Sequence, residues 1–290
     1  MKLLVVGDFH GKFPLKINSI IQKKKIDLVV SVGDYPPFSM GKIYFKYVYG
    51  HEEKNLWDKE ILGKKKYIEM RSNDYKKGEN VLKKLDKLSV KVVSVIGNHD
   101  RPLADDIMDI RKPKDAWDWD WNSKDHFSKF MNRLSNVNKI DYSYFKFGDY
   151  VFVGGRGHSF PGRVKSKAYA RSKRKLEKIF KRFSKENKEG KLIFVTHTPL
   201  YKTKLDLIKA KDAHKLAKNK HCGGKLFKRI VEKYQPILHL CGHVEESKGK
   251  DKVGKTISVN CGSIHHGEFA IVKIDDKKGK IKSVIFPKIH

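Results

Sequence analysis

At 290 residues the chain is long enough to bury a substantial core. No run approaches the ~20 apolar residues of a membrane span, and the short opening apolar run meets Asp8 and His10 too early for a signal peptide. A cytoplasmic protein with no membrane partner is expected. The three cysteines (Cys222, Cys241, Cys261) lack CxxC spacing and read as reduced thiols rather than a disulfide framework. The 64 Lys and Arg against 33 Asp and Glu give a net charge of +31, a balance that favours polyanions such as nucleic acid. Lysine dominates, with only ten arginines. Lysine enrichment is also a thermophile signature, but it normally brings glutamate with it, and acids are scarce here.

In chain order, residues 2–6 form a short apolar strand that breaks at Gly7 into Asp8-Phe9-His10-Gly11. Two residues apart in extended chain, Asp8 and His10 project the same way. They offer a hard oxygen and an imidazole nitrogen, a pair that suits Zn, Mn or Fe. Residues 14–25 read as a helix. Residues 26–32 are a second strand, ending in Gly33-Asp34. The aromatic and lysine-rich stretch 35–89 has no clear pattern until 78–88, where Val81, Leu82, Leu85 and Leu88 mark a helix. Residues 90–96 form a strand ending in Gly97-Asn98-His99-Asp100. Residues 101–138 are irregular, with Trp117, Trp119 and Trp121 reading as packing for a lid or loop ahead of a stacking platform for bases, since the aspartates between them would repel phosphate.

A hairpin is expected over 142–153 around Gly148-Asp149, running into the glycine-rich turn that carries Arg156 and His158. Residues 161–191 contain a strongly basic amphipathic helix, the best candidate surface for a phosphate backbone. Strands over 192–195, 237–241 and 256–259 end in His197, in His243 with Glu245, and in Asn260. A helix over 226–234 lies between the first two. A hairpin over 269–286 closes the chain.

Five apolar strands thus deliver polar residues at their C-terminal ends: Asp8 and His10, Asp34, Asn98 and His99, His197, and His243. Sites in α/β sheets gather at such ends. The set Gly7-Asp-Phe-His10, Gly33-Asp34, Gly97-Asn-His-Asp100, Thr196-His197 and Gly242-His243 resembles the signature of the calcineurin-like metallophosphoesterase superfamily. The turn 260–263 is similar to the one that follows the family's last motif. The resemblance runs from residue 3 to about 275.

The resemblance implies one α/β domain over 1–290, a two-sheet β-sandwich flanked by helices in four αββα layers, with variable insertions at about 35–89 and 101–138. It implies two divalent ions, Mn²⁺ first, with Fe, Zn, Ni or Co as alternatives. Asp8 and His10 would hold one ion, Asp34 would bridge both, and Asn98, His197 and His243 would hold the second. His99 would act on the phosphate, with Asp100 orienting it. Arg156 and His158 are expected at the substrate.

Two positions depart from the family pattern. Glu245 stands where the second His of G-H-x-H supplies a ligand to the first ion. A carboxylate can ligate the same metals, so Glu245 is the expected replacement, with Glu246 as an alternative. Pro37 stands where G-D-x-x-D places a carboxylate, which argues against a Ser/Thr protein phosphatase. The expected activity is metal-dependent hydrolysis of a phosphate ester. A phosphodiester is favoured, with nucleic acid as the version the charge supports. A phosphomonoesterase acting on protein or metabolite, and a non-catalytic scaffold on the same fold, are the alternatives.

Overall fold

The computed structural model describes residues 1–48, 58–100, 126–156, 167–186, 191–211, 213 and 215–289. The first sheet contains β1 (Lys2–Val6), β2 (Leu28–Ser31), β3 (Val92–Ser94), β4 (Val137–Lys139), β11 (Ala270–Asp275) and β12 (Lys280–Ile285), in the order β12-β11-β1-β2-β3-β4. The second contains β5 (Tyr144–Phe147), β6 (Tyr150–Gly155), β7 (Leu192–Thr196), β8 (Leu238–Cys241), β9 (Gly249–Val253) and β10 (Thr256–Asn260), in the order β5-β6-β7-β8-β10-β9. Both sheets are mixed: β1 to β4 run parallel, as do β6, β7, β8 and β10, while the hairpin strands pair antiparallel. The expected two-sheet sandwich with flanking helices is the architecture found.

The continuous apolar strands serve two cores at once, because successive side chains point to opposite faces. Leu3, Val5, Val30 and Val93 meet Phe152, Val195, Leu240 and Val259 between the sheets. Leu4, Val6, Val29 and Val92 face the other way. They pack under α1 (Ile17–Lys24), α2 (Lys64–Asp86) and α3 (His126–Met131) through Ile17, Ile21, Leu82, Leu85, Phe127 and Met131. On the far side, Val151, Val153 and Phe194 are covered by α4 (Lys167–Glu186) and α5 (Lys225–Tyr234) through Leu176, Phe180, Phe183, Phe227 and Ile230.

The 35–89 stretch contains a main element of the core. Its helix α2 is 23 residues long and is the crossover between parallel β2 and β3. Of the 101–138 stretch, residues 101–125 lie outside the described residues, and the three tryptophans with them. The 142–153 hairpin, the basic helix and the closing hairpin form where expected. Among the described residues, no helix is long and apolar enough to cross a membrane.

Candidate metal centre

The C-terminal ends of β1, β2, β3, β7 and β8 converge. Four of the nine non-glycine residues with positive φ, among those described, lie there: Asp8 (52°), His10 (46°), Asp34 (59°) and His243 (71°). Each left-handed residue costs about 1–3 kcal/mol and persists only where its surroundings fix it. The backbone amides of Asp8, Phe9 and His10 donate to the carbonyls of Gly33 and Asp34 at 2.8–3.1 Å. The Asp8 carbonyl accepts from Ser263 Oγ at 3.0 Å and His265 N at 3.2 Å.

Two glycines make the convergence possible. A Cβ on Gly97 would collide with the Asp34 carboxylate, and one on Gly242 with that of Asp8. Glycine is required at both because backbone and carboxylate occupy neighbouring space.

The side chains form two groups of donor atoms, each within 4.8 Å: Asp8, His10 and Glu245, and Asp8, Asp34 and His197. Glu245 therefore stands beside the residues expected to hold the first ion. Its Oε1 is 2.9 Å from His10 Nε2. Glu246 turns elsewhere and accepts the Lys209 and Ala210 amides at 3.1 and 3.3 Å. Asp8, rather than the expected bridge Asp34, is common to both groups. Asp34 Oδ1 is engaged by the His99 amide at 2.8 Å, while Oδ2 lies 3.3 Å from His197 Nε2 and 3.8 Å from His99 Nε2.

His197 is fully buried. Its Nδ1 donates to the Val32 carbonyl at 2.7 Å, which turns Nε2 toward Asp34 and toward Asn98 Oδ1 at 2.8 Å. A backbone partner on one ring nitrogen fixes the other as the ligand atom. His243 donates its amide to Asp8 Oδ2 at 3.1 Å, and its ring meets that of His197 at 5.0 Å.

One expectation needs correcting. The Asp100 carboxylate accepts the amides of Asp34 (2.9 Å), Tyr35 (2.8 Å) and Gly97 (2.6 Å), and no described contact runs from it to the His99 ring. It is a backbone staple joining two motif loops. The motif places Asp100 next to His99 in sequence, but a tight turn sends successive side chains apart. His99 packs instead on Phe38, with ring centroids 4.9 Å apart, next to the position where Pro37 replaces a carboxylate. Arg156 Nη2 donates to Ser128 Oγ on α3 at 3.2 Å. His158 lies outside the described residues.

Sequence reasoning missed His239. It is fully buried on β8 and bonds Ser258 Oγ at 2.8 Å and Thr196 Oγ1 at 2.9 Å, and Thr196 in turn donates to the Thr198 carbonyl. It braces the segment that carries His197. Its signal was a histidine inside an apolar strand with a hydroxyl residue on each flanking strand.

The electrostatics are those of a cage that attracts cations. Burial would raise Asp34, but His197 and His99 outweigh it and hold the carboxyl well below its usual range. Burial pushes Asp8 up to about 7, with Asp34 and Glu245 adding to the rise. Burial would lower His10 and His197. Instead, the Glu245 hydrogen bond and the Asp34 and Asp8 charges lift His10 to about 9, and Asp34 lifts His197 to about 10. Without metal, protons on these two rings balance the carboxylates.

A pH dependence follows. Both histidines have folded values above their ordinary 6.5, so their stabilisation is complete below pH 6.5 and is lost as pH rises through 9 to 10. Metal must displace the same protons. The melting temperature of metal-loaded protein should therefore pull away from that of metal-free protein between pH 6.5 and 9. A constant gap across thermal melts would contradict this.

The chain belongs to the calcineurin-like phosphoesterase family, whose model matches residues 1–245. The family implies metal-dependent phosphoester hydrolysis and divalent metal ions, and the donor set of carboxylates and imidazoles found here fits such ions. The uncharacterized protein MJ1162 of Methanocaldococcus jannaschii is 25% identical over 266 residues, covering 90% of this chain and 87% of that protein. One solved structure superimposes with a TM-score of 0.66 at 19% identity, over 99% of this chain and 98% of its own. TT1561 of Thermus thermophilus does so with a TM-score of 0.52 at 13% identity, over 99% and 98%. The two structural likenesses show the shared fold.

Proposed function

We propose that this chain is a cytoplasmic phosphodiesterase that uses two divalent ions, Mn²⁺ foremost, on a nucleic-acid substrate. The observation that carries the reading is the pair of donor groups sharing Asp8, with His99 beside Asp34. Asp8, His10 and Glu245 would hold one ion, and Asp34, His197, Asn98 and His243 the other, with Asp8 or Asp34 shared. Such ions, when bound, activate a water and polarise a phosphoryl oxygen. The protein supplies the rest. Asp100 and the two glycines fix the carboxylates, and Val32 fixes the His197 ring. Burial holds the His99 ring down to about 4, so it is a neutral imidazole at neutral pH, and its one N–H would be what it offers the leaving oxygen. The ring is 24% exposed, so a substrate reaches it from solvent.

The charge of +31 and the exposed basic face of α4, with Arg171, Arg174, Lys178 and Lys181, support a polyanionic substrate. Metal-loaded protein should hydrolyse an aryl phosphodiester faster than the monoester. Its oligonucleotide binding should weaken steeply with log salt concentration. Turnover of the monoester alone would replace the diester reading. Turnover of neither would leave a scaffold, and a flat salt response would remove nucleic acid.

A further inference from the structure

Outside the donor cluster, one exposed feature is built and unexplained. From His99 a run of aromatic rings leads outward. Phe38 lies against His99, Tyr44 meets Phe38 edge-on at 5.7 Å, and Phe45 meets Tyr44 at 5.4 Å. Phe45 is 52% and Tyr47 44% exposed. Lys42 and Lys46, both exposed, alternate with these rings, and Lys46 Nζ sits 4.9 Å above the Tyr47 ring.

The segment is held in place. Ser39 donates its amide and hydroxyl to buried Asp74 on α2. Met40 and Val48 are buried at either end of the ledge. Residues Tyr44–Val48 form a π-helix, a rare geometry that recurs at functional sites. A fixed ledge that keeps large rings in water gives up burial that the fold would otherwise gain.

We infer that the ledge of Phe38, Tyr44, Phe45 and Tyr47 is a stacking surface for the bases of a single-stranded nucleic acid whose scissile phosphate lies at His99. The inference rests on the phosphodiester reading and adds what the ester carries. Three observations favour bases over other apolar groups. The ledge adjoins the residue expected to meet the phosphate, so whatever the phosphate esterifies on that side lies beside Phe38. Lysines alternate with the rings, the arrangement that tracks a phosphate backbone while its bases lie on aromatic faces. The protein as a whole is strongly positive, as a polyanion partner requires. Stacking tolerates any base, so the surface selects single strands rather than sequences.

The test compares two 12-residue phosphorothioate oligonucleotides, which keep their charge and resist cleavage: one of thymidines, one abasic. Binding to metal-loaded protein is read by fluorescence anisotropy across salt concentrations. The unmodified protein should bind the base-bearing strand about tenfold more tightly than the abasic one. Phe45→Ala with Tyr47→Ala should erase that preference and leave the salt slope unchanged, because no charge is removed. Lys42→Ala with Lys46→Ala should lower the slope for both strands. Both pairs are exposed, and circular dichroism checks that the variants fold. Equal affinity for the two strands, or a preference that survives loss of both rings, would overturn the inference. Failure to hydrolyse a small aryl diester, with base preference intact, would sink the enzyme reading alone.

Discussion

Asp8→Asn will strip both ions and lower kcat by ~10³-fold or more, given several kcal/mol of metal-derived stabilisation at 1.36 kcal/mol per tenfold. Asp8 is the residue common to both donor groups. The amide that replaces it keeps the shape and one acceptor oxygen but lacks the charge. Glu245→Ala, by contrast, will lose one ion per chain, because Glu245 belongs to a single group. Metal analysis after gel filtration separates the two outcomes. Retention of both ions by the Glu245 variant would show that the carboxylate is not a ligand.

Stability should move the other way. Burial and the Asp34 and Glu245 charges make ionised Asp8 unfavourable in the metal-free protein, hence its rise to about 7. At pH 8, metal-free Asp8→Asn should therefore melt no lower than metal-free wild type. A residue that weakens the empty fold and is needed to bind metal is a functional residue retained at a cost in stability. A large drop in melting temperature would instead mark Asp8 as structural.

His99→Ala is expected to lower kcat by ~10²–10⁴-fold, the range for one positioned proton donor, while metal content stays at the wild-type level. His99 is in neither donor group, and its link to Asp34 Oδ1 runs through its backbone amide, which alanine keeps. The split between kcat and metal content decides the assignment. If both fall together, His99 helps hold the ions. If neither falls, the proton comes from elsewhere. The ring is supported by the Phe38 face, with Asp34 Oδ2 3.8 Å from its Nε2, so Phe38→Ala should also disturb it, by loosening its position.

Much of this was legible in the sequence, for identifiable reasons. Strands buried on both faces read as unbroken apolar runs, and those ending in Gly7-Asp8, Gly33-Asp34, Gly97-Asn98 and Gly242-His243 put glycine before a polar residue, which marked strand end and donor together. Most of α2 was hidden because its buried face carries Arg71 and Asp74. Arg71 bonds the Tyr75 hydroxyl at 2.9 Å and Asp74 holds Ser39, so polar pairs stand where the helical period asks for apolar residues. The edge strand β9 is Gly-Lys-Asp-Lys-Val, which reads as a turn. It is a strand only because β10 offers it a partner. Glu245 was visible as a departure from a motif. The work of Asp100 was not, because a pattern of residue types does not show which way a side chain leaves a turn. The aromatic ledge looked like noise among lysines until the fold placed Phe38 on His99.

The stitching of Gly7 and Asp8 also bears on the order in which the molecule assembles. Their carbonyls are closed by Ile264, Ser263 and His265, and the contact from Ser263 spans 255 residues of chain. β1 is likewise completed on one side by β11. Contacts this distant carry a loop-closure cost that local helices do not, and they form late. The left-handed turn at Asp8 is held on one side by the Gly33 and Asp34 carbonyls, and its other side stays open until residues 263–265 arrive. Helix and most parallel strand pairing can precede this step, but the capacity to retain metal cannot. Metal retention thus requires that residues 263–265 have closed onto Asp8.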